Sequence, residues 1–402
     1  MSDFAREPFE WVEIDQDFCT RSYGVAPCTA SLTIGGTECY NTRSTCQDPT
    51  NYVKGARTLR FCKSQAFLPN DGNYYIPTLV SASISAGSIN PAGANSSSTA
   101  LGTRGGVTVT FQDGPHTDRY VDPYIADRMS RDAGYIATER GTFWSKWRAR
   151  NQYYLGRVIR YKTGFIENGA VVDVTTRTYF ITGFEGPDGN GQVRMAGKDI
   201  LSKIANEKAK VPAASEGKLR VDLTTSATHA HLEPAGIIAD YPATGYIRIG
   251  KEILAYSKNG PSDPDRIDIT RAQYGTVAVT AKAGDIVQLC KVYSAEAPAD
   301  ILDDLLTNFA GIPAGYLDTA QWAQVQTDYL PRLYSTVISE PTGVQEIIAE
   351  MCEQMYFYLI WDERAGKLKM RAIRPAQDDT VYSLSDFRNF LADSVNLRDL
   401  PD

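Results

Sequence analysis

Five of the seven cysteines, Cys19, Cys28, Cys39, Cys46 and Cys62, lie close together near the N-terminus, while Cys290 and Cys352 are far downstream. Such a group can form disulfides, hold a metal ion or carry an iron–sulfur cluster. An odd local count argues against a disulfide framework, as does the start Met1-Ser2-Asp3-Phe4-Ala5-Arg6-Glu7, which lacks the basic and apolar regions of a signal peptide. Folding in the cytosol is therefore expected. Structural zinc favours paired knuckles such as C-x2-C, because a short gap lets neighbouring thiolates wrap one ion. The gaps here are eight, ten, six and fifteen residues, so no knuckle exists. A cubane is wide enough to take thiolates from well-separated loops, although the tight cysteine run of ferredoxins is absent too. Spacing thus supports a metal site and leaves iron and zinc open. Cys352, beside Met351 in an apolar stripe, and Cys290, at a strand end, read as buried thiols acting as small apolar residues.

Other chemistry is thin. Only three histidines occur, His116, His229 and His231, and no G-x-S-x-G, H-E-x-x-H, P-loop or G-x-G-x-x-G context is present. No catalytic residue is assigned and the chain is read as a non-enzyme. His229 and His231 would share one face of a strand, yet a surface loop is the plainer reading. Asp300, Asp303 and Asp304 sit at a helix start, where carboxylates suit the macrodipole and solvent. Trp144-Ser145-Lys146-Trp147-Arg148-Ala149-Arg150 mixes rings and bases, which could meet nucleic acid but fits an interface or strand-edge patch better.

The elements that must position these residues read as mainly β with α+β parts, in several domains. The composition, with 23 Tyr, 32 Gly and 20 Pro, suits short strands and turns, and 402 residues exceed the usual single domain. A net charge of −7 gives no general pull toward nucleic acid or anionic membrane. No apolar run approaches the roughly 20 residues that span a bilayer.

Four stretches follow: a cysteine-rich segment 1–70, a β-rich part 71–234, a small all-β module 235–295 and an α+β part 296–402. Strands are expected over Gly105–Phe111, Leu155–Phe165 and Val171–Thr182, with turns at Glu167-Asn168-Gly169 and from Gly186 to Gly191. Ile84–Gly106 reads as a long loop, and a helix is expected from Asp199 with Ile200, Leu201 and Ile204 on one face. In the module, two strands flank the Gly250-Lys251 turn, with others at Ile267–Arg271 and Asp285–Leu289. Pro298 opens a helix that turns Ile301, Leu302, Leu305, Leu306 and Phe309 inward and ends at Gly311. A second helix starts near Thr342, where Thr342 and Gln345 fit a capping box, and a hairpin follows over Tyr356–Ile373.

Cys39-Tyr40-Asn41-Thr42-Arg43-Ser44-Thr45-Cys46-Gln47-Asp48 resembles a signature of tail-tip proteins from long-tailed phages and gene transfer agents. It follows Cys19-Thr20-Arg21-Ser22-Tyr23-Gly24-Val25-Ala26-Pro27-Cys28 and precedes Thr58-Leu59-Arg60-Phe61-Cys62, in the expected order. Lambda-type tail-tip proteins, which carry a 4Fe–4S cluster, are similar in having cysteine pairs with eight and then six residues between. Carried over, that pattern falls on Cys19, Cys28, Cys39 and Cys46 and leaves Cys62 spare.

The segments Gly245–Glu252, Thr270–Thr276 and Gly284–Gln288 resemble a small β module of baseplate and hub proteins. The chain departs from it at Ala272, where Gly is usual, and at Lys282, where His is usual, which weakens a ligand role for the module. Glu340–Ile373 is similar to a helix-plus-hairpin of contractile-tail hubs. The resemblance implies a homotrimeric hub of two barrel-like domains per subunit, joining a sixfold tail tube to a threefold tip, with the cluster structural. It implies the virion tail tip as location, after assembly in the bacterial host cytoplasm. Implied partners are the distal tail, tape-measure and central tip or fibre proteins, with transient contact to translocating DNA and no membrane span. The alternatives are a tail-associated redox or hydrolytic enzyme, or a zinc-stabilised structural protein.

Overall fold

The first strand, β1 (Glu7–Cys19), alternates two apolar faces, with Phe9 and Trp11 on one and Val12 and Ile14 on the other. A strand buried on both sides belongs in the middle of a sheet, and β1 does. A computed structural model describes residues 6–30, 38–87, 101, 104–132, 134–205, 207–258 and 265–374. Their fold is mainly β, in several sheets, with α+β parts.

In chain order the next strands are β2 (Lys54–Cys62), β3 (Tyr75–Ile76), β4 (Leu79–Ser85), β5 (Gly106–Gln112), β6 (Val158–Glu167), β7 (Ala170–Glu185) and β8 (Gln192–Lys198). They form one sheet in the order β3-β2-β1-β6-β7-β8-β5-β4. Its two edge strands, β3 and β4, are separated in the chain only by Pro77 and Thr78. The edges therefore return toward each other, and the sheet curls into a half-barrel. Asn168 and Gly169, both at positive φ, make the tight turn between β6 and β7. The cysteine-rich stretch is woven into this sheet through β1 and β2.

Helices α1 (Ile125–Arg131) and α2 (Phe143–Arg150) lie in the long β5–β6 connection and were not anticipated. Helix α2 turns Phe143, Trp144 and Trp147 into the half-barrel core, with Trp144 stacked on Phe61 at 5.0 Å between centroids. The Trp-Lys-Trp motif is thus a core helix, neither a strand-edge patch nor a set of free stacking faces. Of the expected 84–106 loop, residues up to Ser85 extend β4, and 88–100 and 102–103 lie outside the described residues.

The expected helix at Asp199 is a single 3-10 turn, Ile200–Lys203. Ile200, Leu201 and Ile204 are buried as anticipated, but the chain turns into β9 (Lys210–Val211) too soon for a longer helix. The module then contributes β10 (Lys218–Leu219), β11 (His229–Glu233), β12 (Thr244–Ile249), β13 (Glu252–Lys258) and β14 (Arg266–Thr270). It begins upstream of the expected boundary at 235, because β10 pairs with β11 and β11 with β14. Strand β15 (Val287–Glu296) pairs first with β12 and then with β16 (Tyr334–Ile338), so one seven-stranded sheet runs from the module into the last part.

That last part packs α3 (Pro298–Asp304), a following π-turn (Leu305–Phe309) and α4 (Thr319–Tyr329) around one apolar core. Ile301, Leu302, Leu305 and Leu306 are buried there and Phe309 partly so. The strand β17 (Thr342–Gly343) pairs with β9 and leads into α5 (Val344–Met355). The capping box does not form: Thr342 is in the strand pair, Gly343 takes the N-cap position and no side chain caps the helix. The hairpin β18 (Phe357–Asp362) and β19 (Lys367–Ala372) follows as expected. Phe180 of β7 enters the same core, and the Trp361 indole donates to the Thr178 carbonyl at 2.9 Å, joining it to the half-barrel. No helix among the described residues is long and apolar enough to cross a membrane.

Candidate functional site

All seven cysteines are free thiols. Cys19 closes β1 opposite Lys54, and Gly55 beside it has no room for a side chain, since a Cβ there would meet Thr20 Cγ2 at 2.7 Å. The loop after Cys19 is irregular. The Cys28 N–H donates to the Val25 carbonyl at 2.9 Å, and Thr29 donates through N–H (2.8 Å) and hydroxyl (2.9 Å) to one oxygen of Asp48. Asp48 also accepts from the Asn51 amide side chain at 3.0 Å. One carboxylate thereby ties the Cys28 loop to the segment just after Cys46. The Thr29 N–H and the other donors hold Asp48 down to about 2.

Between Cys39 and Cys46 the chain makes a short 3-10 turn, Arg43–Thr45. The Arg43 N–H donates to Asp17 of β1 at 3.0 Å, and Thr42 and Thr45 hydroxyls bond each other at 2.8 Å. Residues 38–41 are gripped from helix α1. Arg128, itself buried, reaches Asp122 at 2.6 Å, Glu38 at 2.6 Å and the Cys39 carbonyl at 2.5 Å. The Tyr40 ring lies between two guanidiniums, Arg128 at 4.2 Å and Arg150 at 3.9 Å.

The thiols divide by their surroundings. Burial pushes Cys39 up to about 11; the Asn41 N–H opposes this, while charge on Cys46, Cys28 and Cys19 adds to it. Cys46 is raised by burial first, against the Asp48 N–H, and then by Cys19 and Cys28. Cys39 and Cys46 therefore each lie within electrostatic reach of Cys19 and Cys28, the thiols being drawn from the end of β1 and from two separate loops. Cys62 stands apart. Its shift to about 11 comes from burial, opposed by its own N–H, and it packs with Phe9, Trp11, Tyr75 and Ile166 on the outer face of the sheet. Position decides this: Cys62 pairs with Trp11 and shares its face, whereas Phe61 pairs with Val12 and faces the inner core. Cys352 is buried in α5 and pushed up to about 12 by burial, and Cys290 is raised to about 11 for the same reason.

Thiolates within mutual reach repel unless protonated or neutralised, which is the condition a cation or cationic cluster relieves. The donor set fits a soft, thiolate-loving metal centre, and two thiols already accept main-chain N–H bonds, from Asn41 and Asp48. Among the described residues no three Cys, His, Asp or Glu side chains are gathered closely enough to chelate a single ion. His229 and His231 do share a face of β11, 5.5 Å between ring centroids, but His231 Nδ1 is 3.0 Å from the Arg220 guanidinium, a poor neighbour for a metal.

Beside the 38–45 loop opens a cleft of about 620 Å³ lined by Tyr40, Arg128, Tyr135, Arg140, Lys146 and Arg150, among others. Its deeper cations are committed within the fold: Arg128 to Asp122 and Glu38, Lys146 and Arg150 to the buried Asp118 at 2.7 and 2.8 Å. Burial alone would raise Asp118, yet His116, Arg150 and Lys146 hold it below the ordinary carboxylate range. The acidic group at α3 is likewise occupied, with Asp304 accepting from Tyr293 at 2.7 Å and facing Lys291 at 2.6 Å.

No protein-family model matches the chain, and no curated protein matches it. The supporting residues Asn41, Tyr124 and Arg128 carry no signal that spacing could reveal. Only the neighbourhood of Asn41 within Cys39–Cys46 hinted at a role.

Proposed function

We propose that the chain is a structural hub of a phage tail tip in which Cys19, Cys28, Cys39 and Cys46 hold a 4Fe–4S cluster. The reading is supported by placement: Asn41 joins the end of β1 at Cys19 to Cys39, Asp48 ties the Cys28 loop to the segment after Cys46, and Cys62 lies on the outer face of the sheet. When bound, the cluster would supply four iron attachment points and neutralise the converging thiolates. The chain's own part is to deliver the sulfurs. Strand β1 fixes Cys19, the Asp48 carboxylate ties down the Cys28 loop, and Arg128 holds the Cys39 carbonyl.

The role is structural because the described residues between Thr20 and Tyr52 include few buried apolar side chains. Where a core is too small, metal-binding energy becomes folding energy. The half-barrel and the α+β part would then supply the barrel-like domains of a homotrimer between the sixfold tube and the threefold tip. Distal tail, tape-measure and tip or fibre proteins would be its neighbours. No catalytic constellation is invoked.

Anaerobically prepared protein should contain iron and acid-labile sulfide in equal amounts, about four of each per chain for a cubane, with broad visible absorption. Colourless protein holding stoichiometric zinc would overturn the cluster. Threefold particles in negative stain support the hub, and a stable monomer that never joins tail components removes it.

A further inference from the structure

One residue without sulfur meets both Cys19 and Cys39. Asn41 is buried and takes a left-handed backbone, φ 57°. Its carbonyl accepts the Cys19 N–H at 2.5 Å, and its own N–H donates to Cys39 Sγ at 3.4 Å. The side-chain Nδ2 donates to the carbonyls of Cys19 (3.2 Å) and Arg21 (3.3 Å). Oδ1 accepts from the Tyr124 hydroxyl at 2.9 Å and lies 3.5 Å from Cys39 Sγ.

A residue chosen only for its tolerance of positive φ leaves its side chain in solvent. Asn168, in the β6–β7 turn at φ 53°, does so. Asn41 instead spends every polar atom of its side chain on three separate segments: the end of β1, the loop after it and the start of α1.

We propose that Asn41 is the positioning residue of the cysteine site. It sets the separation of Cys19 and Cys39, accepting the Cys19 N–H and donating its own N–H to Cys39 Sγ. Tyr124 braces it from the far side. The proposal rests on the reading of these cysteines as cluster ligands, but one of its consequences does not need the cluster. Hydrogen bonds to ligand sulfurs tune the potential of an iron–sulfur centre, and loss of such supporting partners lowers metal affinity about 10–100-fold.

The test compares Asn41→Gly, which keeps the backbone conformation and deletes the clasp, with Asn168→Gly as a backbone control. In reduced, metal-free full-length protein, iodoacetamide should alkylate Cys39 about tenfold faster or more in Asn41→Gly, because loosening the loop opens the buried sulfur to the reagent. Asn168→Gly should match the parent. In iron-loaded protein, Asn41→Gly should hold iron about 10–100-fold more weakly and shift the midpoint potential, because the Oδ1 dipole 3.5 Å from Cys39 Sγ is removed, a change that scaffolding alone does not produce. Should Asn41→Gly fail to fold, Tyr124→Phe removes one bond and should move the same readouts less, in the same direction. Unchanged alkylation, affinity and potential in whichever variant folds overturn the proposal. If the parent chain takes up no iron yet Asn41→Gly still accelerates alkylation, the cluster reading falls and the positioning role stands.

Discussion

The small β module and the cysteine segment both carry irregular loops, but they hold them by opposite means. The module has an apolar core of its own, with Leu219, Leu232, Ile247, Leu254, Ile267 and Val287 fully or almost fully buried. Its loop after β14 is then latched by one ion pair. Buried Glu252 accepts two bonds from Arg271, at 2.7 and 2.6 Å, and the N–H groups of Ala272 and Val279. From Thr20 to Tyr52, by contrast, the loops are organised by hydrogen bonds to Asp17, Asp48, Asn41 and Arg128 around four thiols. A small core leaves little to oppose chain entropy, which the proposed cluster would offset.

The comparison breaks most visibly at the thiols. Cys39→Ser should abolish stoichiometric iron binding and leave residues 19–52 open to limited proteolysis, while Cys62→Ser should keep its iron. Burying a hydroxyl in the aromatic cluster at Cys62 should lower stability by about 1–3 kcal/mol. Equal iron loss in both variants would erase the distinction between them.

Next in size is the module's latch. Glu252→Ala leaves the Arg271 guanidinium only the Thr224 and Val279 carbonyls, so the cost should approach but not exceed that of a broken buried pair, about 3–5 kcal/mol. Amide exchange should rise over residues 271–281 while the iron content stays that of the parent. Spread of the effect to residues 19–52 would show that the two regions are one cooperative unit.

Acid offers a gentler probe. The folded pKa of Asp48, about 2, lies below its unfolded value of about 3.9, so its contribution is complete above the unfolded value and fades as pH falls toward 2. In metal-free protein the Thr29 and Asn51 amides should lose exchange protection across that window. Asp48→Asn should show weaker protection at neutral pH and no such acid step.

The smallest effect is expected at the histidine pair. His229→Ala with His231→Ala should change stability by no more than about 0.5 kcal/mol, as surface substitutions do, and leave bound metal untouched. Loss of metal there would move the metal site into the module and reverse the comparison.

Much of the fold was legible because its strands face a core on one side, so alternation survives in segments such as Gly105–Phe111 and the hairpin after α5. The missed helices α1 and α2 show where that logic stops. In α1 the only buried residue is Arg128, so it shows no apolar stripe, and the short apolar face of α2 is interrupted by the inward Lys146. The thiols could be found by residue type, since so few cysteines cluster by accident. Their supports could not. Tyr124 reaches Asn41 across 83 residues and Arg128 reaches Cys39 across 89, contacts that no local spacing encodes.

Strand β15 has a mechanical consequence. It belongs to the module through β12 and to the α+β part through β16, with a register shift between Tyr293 and Glu296. A module hung on a flexible linker would swing freely. Here the connector is itself a rung-bearing beam, loaded along its length and clamped on both sides. A pull or twist applied to the module therefore reaches the far sheet as shear across many hydrogen bonds at once, and the irregular register near Tyr293 is the place where that beam can flex.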